Sequence, residues 1–292
     1  MKKVAFVILA LAALMAVSGC EDDDNCVISV RPEPPQGVYT VTGNGAVYVF
    51  WTAPYAGNID QFVIKRSLSA LTGYQEIGRV DAEANPDRDL IYYDPGFVDN
   101  TAQNGVTYWY AVASVNSANL ESELSAEDVF DTPRPEGSVV LFDYLIEPSL
   151  AGFNLASQSA VDFDSPAADL YIDRDGSVFF VNAVGAGTVV QDAGYHDYFD
   201  EIGWAPQYGW TETEWSELIE GHIYVIRTGT SSSSYHYAKL WVVTVNSNSV
   251  TFQWAYQTDI DNPELAPGAD NIEPPVTGSD KVAANAASNS SL

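Results

Sequence analysis

Gly221-His222-Ile223-Tyr224-Val225-Ile226-Arg227-Thr228, then Gly229-Thr230-Ser231-Ser232-Ser233-Ser234, then Tyr235-His236-Tyr237-Ala238-Lys239-Leu240 is the stretch that decides how this chain folds. Two runs rich in β-branched and aromatic residues flank a Gly/Ser-rich turn, which predicts a β-hairpin continuing into Trp241-Val242-Val243-Thr244-Val245. Side chains alternate across a strand. Ile223 and Val225 are therefore set against His222, Tyr224 and Ile226, and Ala238, Leu240 and Val242 against Tyr237, Lys239 and Trp241. This hairpin is expected at the heart of a second domain.

Segments on either side have the same character. Val139-Val140-Leu141-Phe142 opens the domain, and Leu170 to Val181 reads as another hairpin with Asp175-Gly176 as its turn. Ala183 to Thr188 and Ile202 to Gly209 are small, Gly- and Pro-containing and loop-like. One short helix is expected at Thr211 to Glu220, where Thr211 and Glu214 have capping-box spacing and Trp215, Leu218 and Ile219 can share a face. From Ala266 to Leu292 the composition turns to Pro, Gly, Ala, Asn and Ser, which predicts a disordered tail at 266–292.

Tyr224 to Thr228 followed by Tyr237-Ala238-Lys239-Leu240, with Asp162-Phe163-Asp164, Ala168-Asp169-Leu170-Tyr171 and Ser249 to Tyr256, resembles the HmuY-like haem-binding lipoproteins. The resemblance covers residues 138–265. It implies a mostly antiparallel β domain that captures haem or a similar flat aromatic ligand.

Upstream, residues 32–133 resemble a fibronectin type III domain. Pro32-Glu33-Pro34-Pro35 leads to Val47-Tyr48-Val49-Phe50-Trp51, an alternating strand with a Trp for the space between two sheets. Phe62-Val63-Ile64 follows, and then Tyr108 to Asn116, where Tyr108 fits the tyrosine-corner position. Short β runs punctuated by Gly, Pro and Asn independently read as a sandwich of about 100 residues. The loop from Asp81 to Leu90 is acidic and longer than such a module needs. Residues 134–137 form a short, stiff linker within Asp131-Thr132-Pro133-Arg134-Pro135-Glu136-Gly137. The fold class expected overall is all-β, a fibronectin type III sandwich followed by a second, mostly antiparallel β domain with one short helix.

Lys2 and Lys3, an apolar run from Val4 to Val17 and then Ser18-Gly19-Cys20 read as a secretory leader over residues 1–19. The run is shorter than the roughly 20 residues that span a bilayer. Its end resembles a bacterial lipobox, which implies that Cys20 becomes the lipidated first residue and that the partner there is a membrane, reached through a lipid anchor. Glu21-Asp22-Asp23-Asp24 begins an acidic tether over residues 20–31. The expected location is the bacterial cell envelope, most simply the outer membrane. Cys26 is then the one other cysteine, so no disulfide framework forms within the chain.

Twelve basic against 40 acidic residues give a net charge of −28, and removal of Lys2 and Lys3 with the leader makes it more negative. Such a surface repels nucleic acid, and no nucleic-acid partner is expected.

Only three histidines are present, His196, His222 and His236. If the haem implied by the resemblance is held, these are the axial candidates, because the mature chain lacks Met and Cys26 sits in the tether. A turn centred near Ser231 sets Arg227 roughly opposite His236, with His222 five residues back along that strand, on the order of 16 Å away. The workable pairs are therefore His196 with His222 or with His236. His236 is preferred, with Tyr235 and Tyr237 lining a flat ligand and Tyr195 beside His196. Asp162 with Asp164, and Asp173 with Asp175, lack the spacing of a calcium loop and read as structural, so no metal site is expected.

No Gly-x-Ser-x-Gly or His-Glu-x-x-His signature occurs, so no enzyme is expected. Two functions follow from this reading. One is haem capture by a lipid-anchored envelope protein; the other is an adhesion or scaffold lipoprotein that binds protein or glycan with no cofactor.

Overall fold

Seven strands build the first half of the computed structural model, which describes residues 30–53, 59–82, 91–127, 129–210 and 214–266. They are β1 (Gln36–Thr42), β2 (Val47–Ala53), β3 (Ile59–Ser67), β4 (Gln75–Asp81), β5 (Ile91–Asp99), β6 (Tyr108–Asn116) and β7 (Val129–Asp131). A three-stranded sheet, β1-β2-β5, faces a four-stranded one, β4-β3-β6-β7, and every pairing is antiparallel. Trp51 is 1% exposed and packs against Phe62 at 5.5 Å between ring centroids. Gly96 makes this possible, since a Cβ there would stand 2.3 Å from the Trp51 ring. Tyr108 does turn back as a tyrosine corner should: its hydroxyl accepts the Gln103 N–H at 3.3 Å.

The second half continues with β8 (Glu136–Phe142), β9 (Gly152–Asn154), β10 (Ser159–Val161), β11 (Leu170–Asp175), β12 (Val178–Ala183) and β13 (Val189–Tyr195). It ends with β14 (Trp215–Glu217), β15 (His222–Thr228), β16 (His236–Val245) and β17 (Ser249–Tyr256). Two five-stranded sheets result, β10-β9-β11-β12-β14 and β13-β15-β16-β17-β8. One core lies between them, with Leu170, Ile172, Phe179 and Val181 from the first sheet against Tyr224, Ile226, Leu240, Val242 and Phe252 from the second. The all-β expectation is met.

Residues 215–220 do not form the expected helix. Trp215–Glu217 is a strand on the edge of β12, with Trp215 opposite Asn182 and Glu217 opposite Phe180. In a helix Trp215 and Leu218 would share a face; here Trp215 points out and Leu218 is buried in the core. The unpaired edge of β12 offers backbone partners that a helix of this length does not outcompete. Tyr224 locks the result, its hydroxyl donating to Glu217 O at 2.6 Å and accepting the Ile219 N–H at 2.9 Å. The only helical turns among the described residues are single 3-10 turns at Pro148–Leu150 and Phe199–Glu201.

The stiff linker is drawn inside the molecule. β8 begins at Glu136, within it, and Asp131, Thr132 and Arg134 are fully buried. Thr132 donates its N–H (2.6 Å) and its hydroxyl (2.8 Å) to the two carboxylate oxygens of Glu264, and Gln257 Nε2 donates to Thr132 O at 3.3 Å. From the other side Gly105 N–H bonds Pro133 O, and Arg134 N–H bonds Gly43 O. Both halves belong to one compact unit that starts at Arg31. Cys20, the acidic run 21–24, Cys26, residues 83–90 and the tail from 267 lie outside the described residues. Ala266 is the last described residue, and its N–H bonds Gly203 O.

Candidate functional site

The hairpin predicted from sequence is β15–β16, with its register one residue from the expected one. Thr228, not Arg227, faces His236, and Arg227 faces Tyr237. Ile223, Val225 and Arg227 share the side of the sheet that turns away from the main core. This side is covered too, with Val225 packed against Ala205 and Leu265 and flanked by Ile202, Trp210 and Tyr237.

His196 and His236 are not brought together. Tyr195 pairs with His222, whereas His236 pairs with Thr228, six residues further along β15, or about 20 Å at 3.3 Å per residue. One iron cannot reach both. Each ring is also engaged through Nδ1: His196 at 3.0 Å from Glu201, His222 at 3.0 Å from Asp192, and His236 at 3.1 Å from Gln257 O. A carbonyl only accepts, so Nδ1 of His236 carries the hydrogen. His196 and His222 do lie at the same end of the sheet, where the His196 N–H bonds Gly221 O and Tyr195, 67% exposed, sits over Gly221. Among the described residues no group of three His, Cys, Asp or Glu side chains is placed to hold a metal.

Tyr235 and Tyr237 do not frame an open slot. The guanidinium of Arg227 lies 4.4 Å from the Tyr235 ring and 5.0 Å from Trp210, and Trp210 meets Tyr237 at 6.3 Å. A cation held on aromatic faces already takes the place a flat ligand would occupy. Neither Arg227 nor Trp210 was among the candidates, because Trp210 comes from a loop and its approach is a tertiary fact.

On the outer face of β10-β9-β11-β12-β14 an exposed Trp215 stands with half-buried Tyr171 and Phe180. Tyr171 and Asp173 of β11, Phe180 and Asn182 of β12, and Trp215 and Glu217 of β14 are cross-strand neighbours on that face. Tyr171 is braced edge-on by Tyr144 (6.0 Å, 81°) and Phe163 (5.8 Å, 65°), and Trp215 by Phe180 (5.5 Å, 80°). Beside Tyr171 a cleft of about 370 Å³ is lined by Phe163, Asp164, Pro166 and Val184, among others. The signal was legible in part: in Leu170-Tyr171-Ile172-Asp173 and Phe179-Phe180-Val181-Asn182 the alternate position that should be polar is twice aromatic.

Buried charge gathers on the opposite sheet. Lys239 is fully buried, and its Nζ donates to Phe199 O (2.8 Å), Asp200 (3.0 Å) and Ile202 O (3.2 Å). Burial, with help from the nearby charge of Arg134, brings its pKa down to about 7, and Asp200 and Glu136 pull the other way.

No protein-family model and no curated protein matches the sequence. Solved structures show partial likeness. An Fn3-like protein from Clostridium thermocellum is 22% identical over 37% of this chain and 100% of its own, at a TM-score of 0.27. Pectate lyase Pel3 from Pectobacterium carotovorum is 24% identical over 32% of this chain and 26% of its own, at 0.25. A DUF4466 family protein from Parabacteroides merdae is 11% identical over 78% of this chain and 95% of its own, at 0.34. Likeness at this level assigns no activity to the chain.

Proposed function

We propose that this is a non-catalytic binding protein of the bacterial cell envelope, anchored through Cys20, that engages a protein or glycan through its C-terminal sandwich while the N-terminal sandwich serves as a stalk. The observation that carries this reading is the aromatic cluster on the outer face of the second domain, where exposed Trp215 is braced by Phe180 and half-buried Tyr171 by Tyr144 and Phe163. The separation of His196 from His236, and the filling of the Tyr235–Tyr237 space by Arg227, favour binding without a cofactor over haem capture.

Two assays on the chain from Val27 onward test this. Haemin titration followed by absorbance is expected to show no saturable band shift that depends on His196 or His236. Gel retardation by polysaccharides, together with binding to purified extracellular-matrix proteins, is expected to show specific association with at least one class. Saturable haem binding lost in His196→Ala, or no association with either class, would sink the reading.

A further inference from the structure

We infer that the outer face of β10-β9-β11-β12-β14 is a binding site for a neutral glycan chain, with Tyr171 and Trp215 as stacking platforms, Asn182 between them and Asp173, two residues along β11 from Tyr171, as its hydroxyl-reading partner. This rests on the binding-protein reading above and deepens it by naming the surface and the ligand class.

The spacing comes first. Tyr171, Asn182 and Trp215 stand directly across from one another on three successive strands. With strands about 4.8 Å apart, the two rings are separated by roughly 10 Å, which is about the length of two linked pyranose rings. A pyranose presents a flat patch of C–H groups with partial positive charge, which an aromatic face with its negative quadrupole accepts.

Rigidity comes next. Each platform has perpendicular neighbours, Tyr144 and Phe163 around Tyr171 and Phe180 against Trp215, so a ligand meets rings that are already oriented. Little side-chain freedom is then lost on binding. Trp215 is 55% exposed and Tyr171 is half-buried.

Polar chemistry fills the interval. Asn182 Nδ2 donates to Asp173 Oδ1 at 2.8 Å, and neither side chain has another hydrogen bond among the described residues. The Asn182 amide oxygen, its second N–H and the remaining Asp173 oxygen are thus left to bond sugar hydroxyls, which both donate and accept. At the Tyr171 end the cleft of about 370 Å³ is at the small end of ligand-site volumes, suited to a terminal or branching residue.

Charge selects the class. Asp162, Asp164, Asp173 and Glu217 edge this face, while Arg174 of β11 belongs to the opposite parity and is engaged with Asp143 and the Ser247 carbonyl. A hydrogen bond with Asp162, together with the charge of that neighbour, raises the proton affinity of Asp164. Nucleic acid, sulfated or uronic-acid polymers are refused, whereas the hydroxyls of a neutral chain can both donate to the oxygens of this face and accept the Asn182 N–H.

The test is affinity gel electrophoresis of the chain from Val27 onward in gels containing hydroxyethylcellulose, xyloglucan, galactomannan or dextran, with polygalacturonate as the anionic control. Retardation is expected in at least one neutral polymer and not in polygalacturonate. Trp215→Ala should weaken it about tenfold or more, as should Asn182→Ala, while Tyr208→Ala, an exposed aromatic in the loop before Trp210, should leave it unchanged. A thermal melt equal to that of the parent protein shows that each variant is folded. Retardation that survives both Trp215→Ala and Asn182→Ala overturns this site but leaves a binding protein standing. Retardation by polygalacturonate alone overturns the ligand class. Binding to matrix protein with no polysaccharide retarded overturns the glycan assignment, and no association of any kind overturns the parent reading with it.

Discussion

Lys239 is a polar member of an alternating strand that by sequence alone would be assigned to solvent, yet the Phe199–Ile202 turn seals it in. Its pKa, near 7 in the fold against the ordinary 10.5, has a definite sign for stability. Between those two values the unfolded chain holds a proton that the folded chain gives up, so raising the pH from about 7 toward 10 favours the fold. Below about 7 the penalty is fully present and the contribution is flat. Lys239→Met keeps the volume and removes the titration. The difference in melting temperature between parent and variant is therefore expected to shrink or reverse in the parent's favour from pH 7 to pH 9.5. Parallel profiles would show that Lys239 keeps an ordinary proton affinity in the fold.

At the level of elements, the β15–β16 hairpin is held at its turn by backbone lying on backbone. A Cβ on Gly229, whose φ is +90°, would stand 2.1 Å from Ser234 O, and one on Gly187, at φ +73°, would stand 2.2 Å from Gly229 O. Gly194 also has a positive φ, of +92°, but meets nothing within 4 Å. Gly194→Ala is expected to cost only the backbone preference, about 1–2 kcal/mol, and Gly229→Ala more than that because the turn must open. Urea unfolding of the two variants side by side measures the difference; equal losses would mean that the turn relaxes freely. The alternation of the hairpin could be read from sequence, but its register could not, because four serines in a row give no anchor for the turn and one residue of slip exchanges Arg227 for Thr228 opposite His236. Residues 215–217 show the same limit more severely. Their helical spacing is real, and the edge of β12 that captures them is contributed by residues more than thirty positions away. The aromatic outer face was half legible, since Tyr171 and Phe180 break the polar alternation of their own strands, while Trp215 joins them only through that pairing.

Across the whole molecule, the two sandwiches share a buried seam rather than an exposed linker, and the seam is carried by few side chains. Glu264 accepts from both the N–H and the hydroxyl of Thr132, and Gln257 donates to the carbonyl of Thr132 and to that of Glu264. Next to it are Asp131, fully buried, and Arg134, whose guanidinium is buried 3.5 Å from Glu136 and from Asp200. Burial raises the proton affinity of Glu264, the Thr132 bonds opposing it. Burial and then the charge of Glu264 raise that of Asp131. A carboxyl whose folded pKa lies above its unfolded value stabilises the fold while protonated, and the contribution fades as pH climbs from about 4.5 through the folded pKa. Glu264→Gln keeps a carbonyl acceptor for Thr132 and removes the charge beside Asp131, so it should flatten this fall. Glu264→Ala strands the buried Thr132 N–H, while the hydroxyl keeps Thr107 Oγ1 at 2.9 Å, and should cost about 1–3 kcal/mol. Because Thr132 is held from one half by the 103–107 turn and from the other by Glu264, the parent protein is expected to unfold in a single calorimetric transition. Glu264→Ala is expected to split that transition, with the second sandwich melting apart from the first. Two transitions already present in the parent would mean that the seam does not couple the sandwiches, and a single lowered transition in Glu264→Ala would assign the coupling to the Gln257 and Arg134 contacts that remain.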